Sequence, residues 1–388
     1  MLMYNVIVNC FRVKKKIAMY EYLNLLMQDY TLQTITVGTA ILGAICGVLG
    51  CFAVLRKQSL LGDAISHASL PGIAIMFLVL GVKNNNGLLL GALLSGLVAA
   101  LFIRGIIQKT HLKSDTALGV VLSTFFGFGM LLLTFIQKQS NANQSGLEKY
   151  LFGQAATLMI GDVYLMIIVT FIALLVVMLF WKEFKMFLFD SDYTKSLGYH
   201  VKVLDIMILV FIVLAIIMGL QTVGVVLMSA MLLAPAAAAR QWTNHLWIMF
   251  ILAGFFGAFS GVLGTAISAQ ANHLATGPVI VLITTGFVVF SFVFSPTRGL
   301  LFKQIHLWKN RNNLKQLKTL IFMYNIVKDH QNISHPHKIQ LLNNFQGYSY
   351  RSLKRLQNED LIMLNKNNWS LTLKGFNTAK NLYNANTI

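Results

Sequence analysis

Apolar stretches long enough to cross a hydrocarbon core of ~30 Å recur from Thr31 to Ser295, separated by short polar joints. Their limits read as 31–55, 64–81, 87–105, 117–137, 163–181, 203–219, 222–239, 246–268 and 278–295. Only 11% of the 388 residues are charged and 56% are hydrophobic, whereas soluble domains carry about 25% charged residues. The expected class is therefore an all-α polytopic membrane protein with about eight or nine transmembrane helices. The count is left at eight or nine because 64–81 and 222–239 are short and interrupted.

Charge orients the spans. Arg56/Lys57, Arg104–Lys113, Lys182–Lys202, Arg240 and the C-terminal tail are basic, while joints around Asn84–Asn86, Gly219–Thr222 and Ala269–Gly277 carry at most one lysine. The basic set belongs in the cytoplasm, which leaves residue 30 and the long joint 138–162 outside. That joint is expected to hold re-entrant or surface structure. From Thr297 onward 14 Lys and Arg face 3 Asp and Glu, so the tail is cytoplasmic on the same rule.

The N-terminus conflicts with this pattern. "FRVKKK" would lie outside the membrane, whereas "MYEYLNLLMQDYTLQ" from Met19 has no lysine or arginine. Residues 1–18 therefore read as an extension that is not translated, with Met19 as the true start. No signal peptide with a small-residue cleavage site precedes the first span, so that span is expected to be retained. Cys10, Cys46 and Cys51 have no metal-ligand spacing and read as small apolar filler.

The stretch "RKQSLLGDAISHASLPGIAIMFLVLG", residues 56–81, carries the chemistry. An aspartate at a helix centre costs roughly 2.5–3.5 kcal/mol on an insertion scale, yet this largely apolar stretch contains Asp63, with His67 one turn on. Ser59, Asp63, Ser66 and His67 share one helical face. Pro71 has no N–H for the carbonyl of His67, so the helix is expected to bend or open there, with Gly72 adding slack. Imidazole and carboxylate together suit a first-row divalent cation. One pair is half a coordination shell, and two copies across a two-fold axis would complete it. The alternative is a buried Asp–His hydrogen bond that fixes packing, although an intramembrane ionisable pair is by default functional.

"LRKQSLLGDAISHASLPG" resembles the signature of permease subunits of zinc-, manganese- and iron-type ABC importers. Weaker likenesses follow in "LFGQAATLMIGD", "FDSDYTKSLG", "QTVGVVLMSAMLLAPAAAAR" and "GPVIVL…FSPTRGLL". The resemblance covers residues 19 to about 300 and implies a permease domain over 19–300. It implies that Asp63 and His67 line the metal path near the extracellular gate. It further implies that Asp190, Asp192, Tyr193, Leu197 and Gly198 dock a cytoplasmic ATPase. Without it, that segment reads equally as an ordinary interhelical loop. Two departures stand out: Thr194 where the family usually has alanine, and His273 and Ala275 in "NHLATG" where it has aspartate and proline.

No GxxxxGK[ST] phosphate loop occurs, so the chain is not itself expected to hydrolyse ATP. The implied partners are a separate ABC ATPase, an extracytoplasmic metal-binding protein and a second permease chain, identical or related, within membrane lipid. No cofactor is held permanently; the divalent metal is the substrate. His111, His200 and His245 lie in cytoplasmic joints and read as solvated. His330, His335 and His337, in "DHQNISHPHK", lack a cysteine or spaced carboxylate to complete a site.

Residues 301–388 form a separate small α+β domain. "SYRSLKRLQNEDLI" reads as an amphipathic helix and "MLNKNNWSLTLKGFNTAKNLY" as strand, turn, strand, helix. The pattern resembles the winged helix of metal-dependent repressors. Arg351, Lys354 and Arg355 could then contact phosphates, although tethering to a membrane disfavours DNA and favours a regulatory or docking module.

The expected function is the permease subunit of an ATP-driven importer in the cell membrane, moving manganese, zinc or iron inward. The rivals are a gradient-driven metal transporter and a membrane-tethered metal-responsive transcriptional sensor. The docking-like segment and a single intramembrane acid, Asp63, argue against the gradient-driven one.

Overall fold

The computed structural model describes residues 29–81, 84–138, 153, 155–270, 274–328, 335–342, 350–365 and 368–386. The expected start at Met19, Cys10, most of the joint 138–162, His273, His330 and the side chain of Arg351 lie outside the described residues. The chain divides into two compact units between Gly299 and Leu300.

Among the described residues the first unit has nine helices long and apolar enough to cross a membrane. They are α1 (Tyr30–Leu55), α2 (Leu61–Leu80), α3 (Asn85–Lys109), α4 (Ser114–Lys138) and α5 (Ile160–Leu179). After two short helices, α6 (Trp181–Phe189) and α7 (Ser191–Ser196), come α8 (Val201–Leu220), α9 (Val225–Trp242), α10 (Leu246–Gln270) and α11 (Thr276–Phe294). An all-α polytopic fold follows from the lipid requirement that backbone groups be satisfied within each segment.

Helix α1 is the hub. Asp29 caps it by accepting from the amides of Thr31 and Leu32 at 2.9 and 3.4 Å. Helix α10 lies along it through Thr39, Gly43 and Gly47 against Gly261, Gly257 and Ala253, with backbone touching backbone. Apolar side chains gain nothing by leaving lipid for one another, so small faces that let backbones approach supply the attraction. Helix α9 meets the next turn of α1, where the carbonyl of Leu232 abuts Gly50.

Helices α2, α3 and α4 form a second group. Gly72 of α2 and Gly91 of α3 pack face to face; a Cβ on either would overlap the other's carbonyl. Helix α2 runs as one element through Pro71, which corrects the expected opening. The missing N–H does not break the helix because that turn is enclosed. Ser95 of α3 donates to the carbonyl of Ala68 at 2.5 Å, and Gly129 of α4 sits against Leu70 and Pro71. Neighbouring helices and serine side chains commonly support a membrane proline this way. Gly72 therefore serves close approach to α3.

The joint between α8 and α9 is interior: Thr222 and Val223 are buried, and Gly153 touches Val223 and Gly224.

The second unit opens with α12 (Leu300–Val327). It continues through β1 (His337–Lys338), α13 (Tyr350–Asn358), β2 (Ile362–Asn365), β3 (Asn368–Leu371) and α14 (Leu373–Asn386). The antiparallel sheet has the order β1-β3-β2, with Leu364 opposite Trp369. Trp369 packs in a core with Leu320, Met323, Leu353 and Leu356, giving this unit a hydrophobic centre of its own.

Candidate functional site

Asp63 stands in the first turn of α2, just after the basic α1–α2 joint, at the end of the helix that the charge rule assigns to the cytoplasm rather than at the extracellular end the resemblance implies. A carboxylate there complements the positive end of the helix dipole. That turn is packed inside the bundle: Gly62 rests on Ser229 and Leu232 of α9, and Ile65 meets Gly96 of α3. His67 lies one turn further along the same face. Both side chains are half-buried. The His67 ring meets Phe126 of α4 edge-on, with centroids 4.7 Å apart.

Nδ1 of His67 and Oγ of the fully buried Ser66 have no hydrogen-bond partner. A buried ring nitrogen without a partner is costly for packing alone, and it remains available to a cation. Among the described residues no three His, Cys, Asp or Glu side chains converge. Asp63 and His67 together present one carboxylate and one imidazole, donor types suited to a first-row divalent cation.

The segment after α6 folds as a capped turn of helix. Oδ1 of Asp190 accepts from the amides of Asp192 and Tyr193 at 3.0 and 2.9 Å, the usual role of aspartate at a helix N-terminus. Tyr193 and Leu197 project outward, 55% and 50% exposed, and Asp192 is also exposed. Thr194 is fully buried, and its hydroxyl donates to the carbonyl of Asp190 at 2.7 Å, so the departure from alanine adds no unpaired polar group. Gly198 ends the segment at φ +86°, a conformation that favours glycine.

A third group was missed by the sequence reading. Asp205 of α8 is 8% exposed and lies between two guanidinium groups. Arg56 Nη2 is 2.5 Å from Oδ1, and Arg104 Nε is 3.2 Å from Oδ2. Arg56 also lies over the ring of Phe187 in α6, 5.3 Å from its centroid. Asp63 is thus not the single intramembrane acid: Asp205 falls inside the expected span 203–219, whereas Asp63 stands just before the expected span 64–81. A lone acid in "KVLDIM" near two basic joints is the available signal, whereas the charge rule reads Arg56 and Arg104 only as markers of cytoplasmic joints.

The weaker candidates separate clearly. His337 stacks on Trp369 with centroids 4.9 Å apart and is 9% exposed, so it belongs to the core of its unit. His335 lies beside it, with ring centroids 5.3 Å apart. Lys354 and Arg355 are exposed on α13.

The profile of the ABC 3 transport family matches residues 28–295, which include the nine described helices long and apolar enough to cross a membrane and the Asp63/His67 pair. The chain belongs to the ABC 3 transport family. This ABC 3 chain is 49% identical over 286 residues to the zinc transport system membrane protein TroC of Treponema pallidum (strain Nichols). That match covers 74% of this chain and 95% of that protein. It is 44% identical over 306 residues to the manganese transport system membrane protein MntC of Bacillus subtilis (strain 168), covering 79% and 70% respectively. Among solved structures, PsaBC from Streptococcus pneumoniae in complex with Fab aligns with a TM-score of 0.63 at 33% identity. That alignment covers 72% of this chain and 97% of the other. The ABC 3 fold is thus a permease scaffold, and Leu300–Ile388 follows the family-matched region.

Proposed function

We propose that this chain is the membrane subunit of an ATP-driven importer carrying a divalent transition metal, manganese, zinc or iron, into the cytoplasm. The observation that carries the proposal is the half-buried Asp63/His67 pair with its unpartnered ring nitrogen. Its setting supports it: relatives in the same family are named for zinc and manganese transport. A cation stripped of water needs ligands that replace its hydration and offset its charge. Two donors per chain call for a second permease chain across the path, giving two carboxylates and two imidazoles.

Energy would come from a separate cytoplasmic ATPase seated on α7 through Tyr193, Leu197 and the Asp190–Asp192 cap. An extracytoplasmic metal-binding protein would deliver the ion. Vesicles reconstituted with this chain and its ATPase should take up radiolabelled divalent metal only when ATP is supplied, with unlabelled competitors ranking the metals. Uptake driven by a proton or sodium gradient without ATP would favour the secondary-transporter reading.

Gly198 supplies a test of docking. A proline ring fixes φ near −65°, incompatible with the +86° found there. Gly198→Pro should leave hydrolysis running but separated from uptake. Unchanged metal moved per ATP would remove the docking role.

The C-terminal unit is proposed as a cytoplasmic regulatory module. The amphipathic α13 followed by the β2–β3 pair supports its likeness to a winged helix. Stopping the chain after Lys303 should leave an assembled, transporting permease whose rate or inhibition by cytoplasmic metal is altered. The isolated unit should bind DNA only weakly, with the salt sensitivity of phosphate contacts. Tight binding to one operator at physiological salt would instead favour the tethered transcriptional sensor.

A further inference from the structure

The Arg56–Asp205–Arg104 cluster lines a cavity of about 420 Å³ between the α1–α2 turn, the end of α3, α6–α7 and the start of α8. Three cations border it, Arg56, Arg104 and Lys202, against one acid, Asp205. Asp205 is engaged by both arginines, so positive charge remains in excess. Arg56 Nη1 is buried without a hydrogen-bond partner, and so is Oε1 of Gln58, a residue only 7% exposed. Surplus buried charge is costly unless something answers it. A transported cation would be repelled here, so the cavity is not a stage of its path.

We propose that this cavity binds a phosphate group, carried either by an anionic lipid headgroup or by a soluble phosphate. A guanidinium presents parallel N–H donors that match phosphate oxygens. Arg56, Arg104 and Lys202 line the cavity and bring such donors to it, with the Gln58 amide beside them. The volume lies within the range of small-molecule pockets. By the charge rule this end of the bundle faces the cytoplasm, whose leaflet is anionic in many membranes. Leu61, Ile103 and Ile107 line the same cavity and give an acyl chain an apolar wall.

Native mass spectrometry of the purified full chain tests this with phosphatidylglycerol, phosphate-free diacylglycerol and inorganic phosphate as separate probes. Phosphatidylglycerol should be retained over diacylglycerol. Lys202→Gln and Arg56→Gln should each weaken retention about fivefold, the worth of one surface cation. Lys202 is exposed at the rim, so its variant should fold; Arg56→Gln leaves the Arg104–Asp205 pair in place. If inorganic phosphate binds with the same dependence on both residues while the two lipids are retained equally, the phosphate site stands and its source is soluble. Equal retention of the two lipids with no phosphate bound would overturn the proposal. So would binding indifferent to both substitutions.

Discussion

Asp205→Ala is expected to destabilise the membrane unit by about 3–5 kcal/mol, the usual consequence of removing one partner from a buried ionic group. The carboxylate of Asp205 holds Arg56 from the α1–α2 turn and Arg104 from α3, whose side chains are only 19% and 11% exposed. Without it two guanidinium groups face each other in a poorly solvated place. Removing one arginine is milder: in Arg56→Met, Arg104 still neutralises Asp205. Thermal unfolding in detergent should therefore place both wild type and Arg56→Met well above Asp205→Ala. An Asp205→Ala protein that unfolds at the wild-type temperature would mean the cluster contributes nothing.

The sequence made the spans legible because lipid imposes one rule on all of them, internal hydrogen bonding over an apolar length. Limits differ where that rule loses contrast. The expected span 222–239 is Val225–Trp242: Thr222 and Val223, counted into the span, belong to a joint that is buried in protein. Helix α6, "WKEFKMFLF", is too short and too basic to register, yet Phe184 and Phe187 bury it against the bundle.

Pro71 was legible as a lost hydrogen bond. Ser95, which supports the same turn, lies 24 residues further on and invisible to local reading. Asp205 was hidden for a related reason. Its partners come from two distant joints, each readable alone as a topology signal. The Asp63/His67 pair stood out because both residues sit on one helix at a spacing that local geometry determines.

That pair is where the second large effect is expected. Asp63→Ala removes the only carboxylate that α2 offers, and His67→Ala removes the unpartnered nitrogen. Losing a direct ligand should cost more than losing a supporting contact, which already lowers metal affinity about 10–100-fold. Neither change should disturb folding much, since both side chains are half-buried and neither closes a hydrogen-bond network. The direct measurement is ATP-dependent radiometal uptake by vesicles holding equal amounts of wild-type, Asp63→Ala or His67→Ala permease, each verified to assemble with its ATPase. Uptake should fall by about a hundredfold or more in both variants. Wild-type uptake by the assembled Asp63→Ala protein would contradict the assignment of this pair to the metal path.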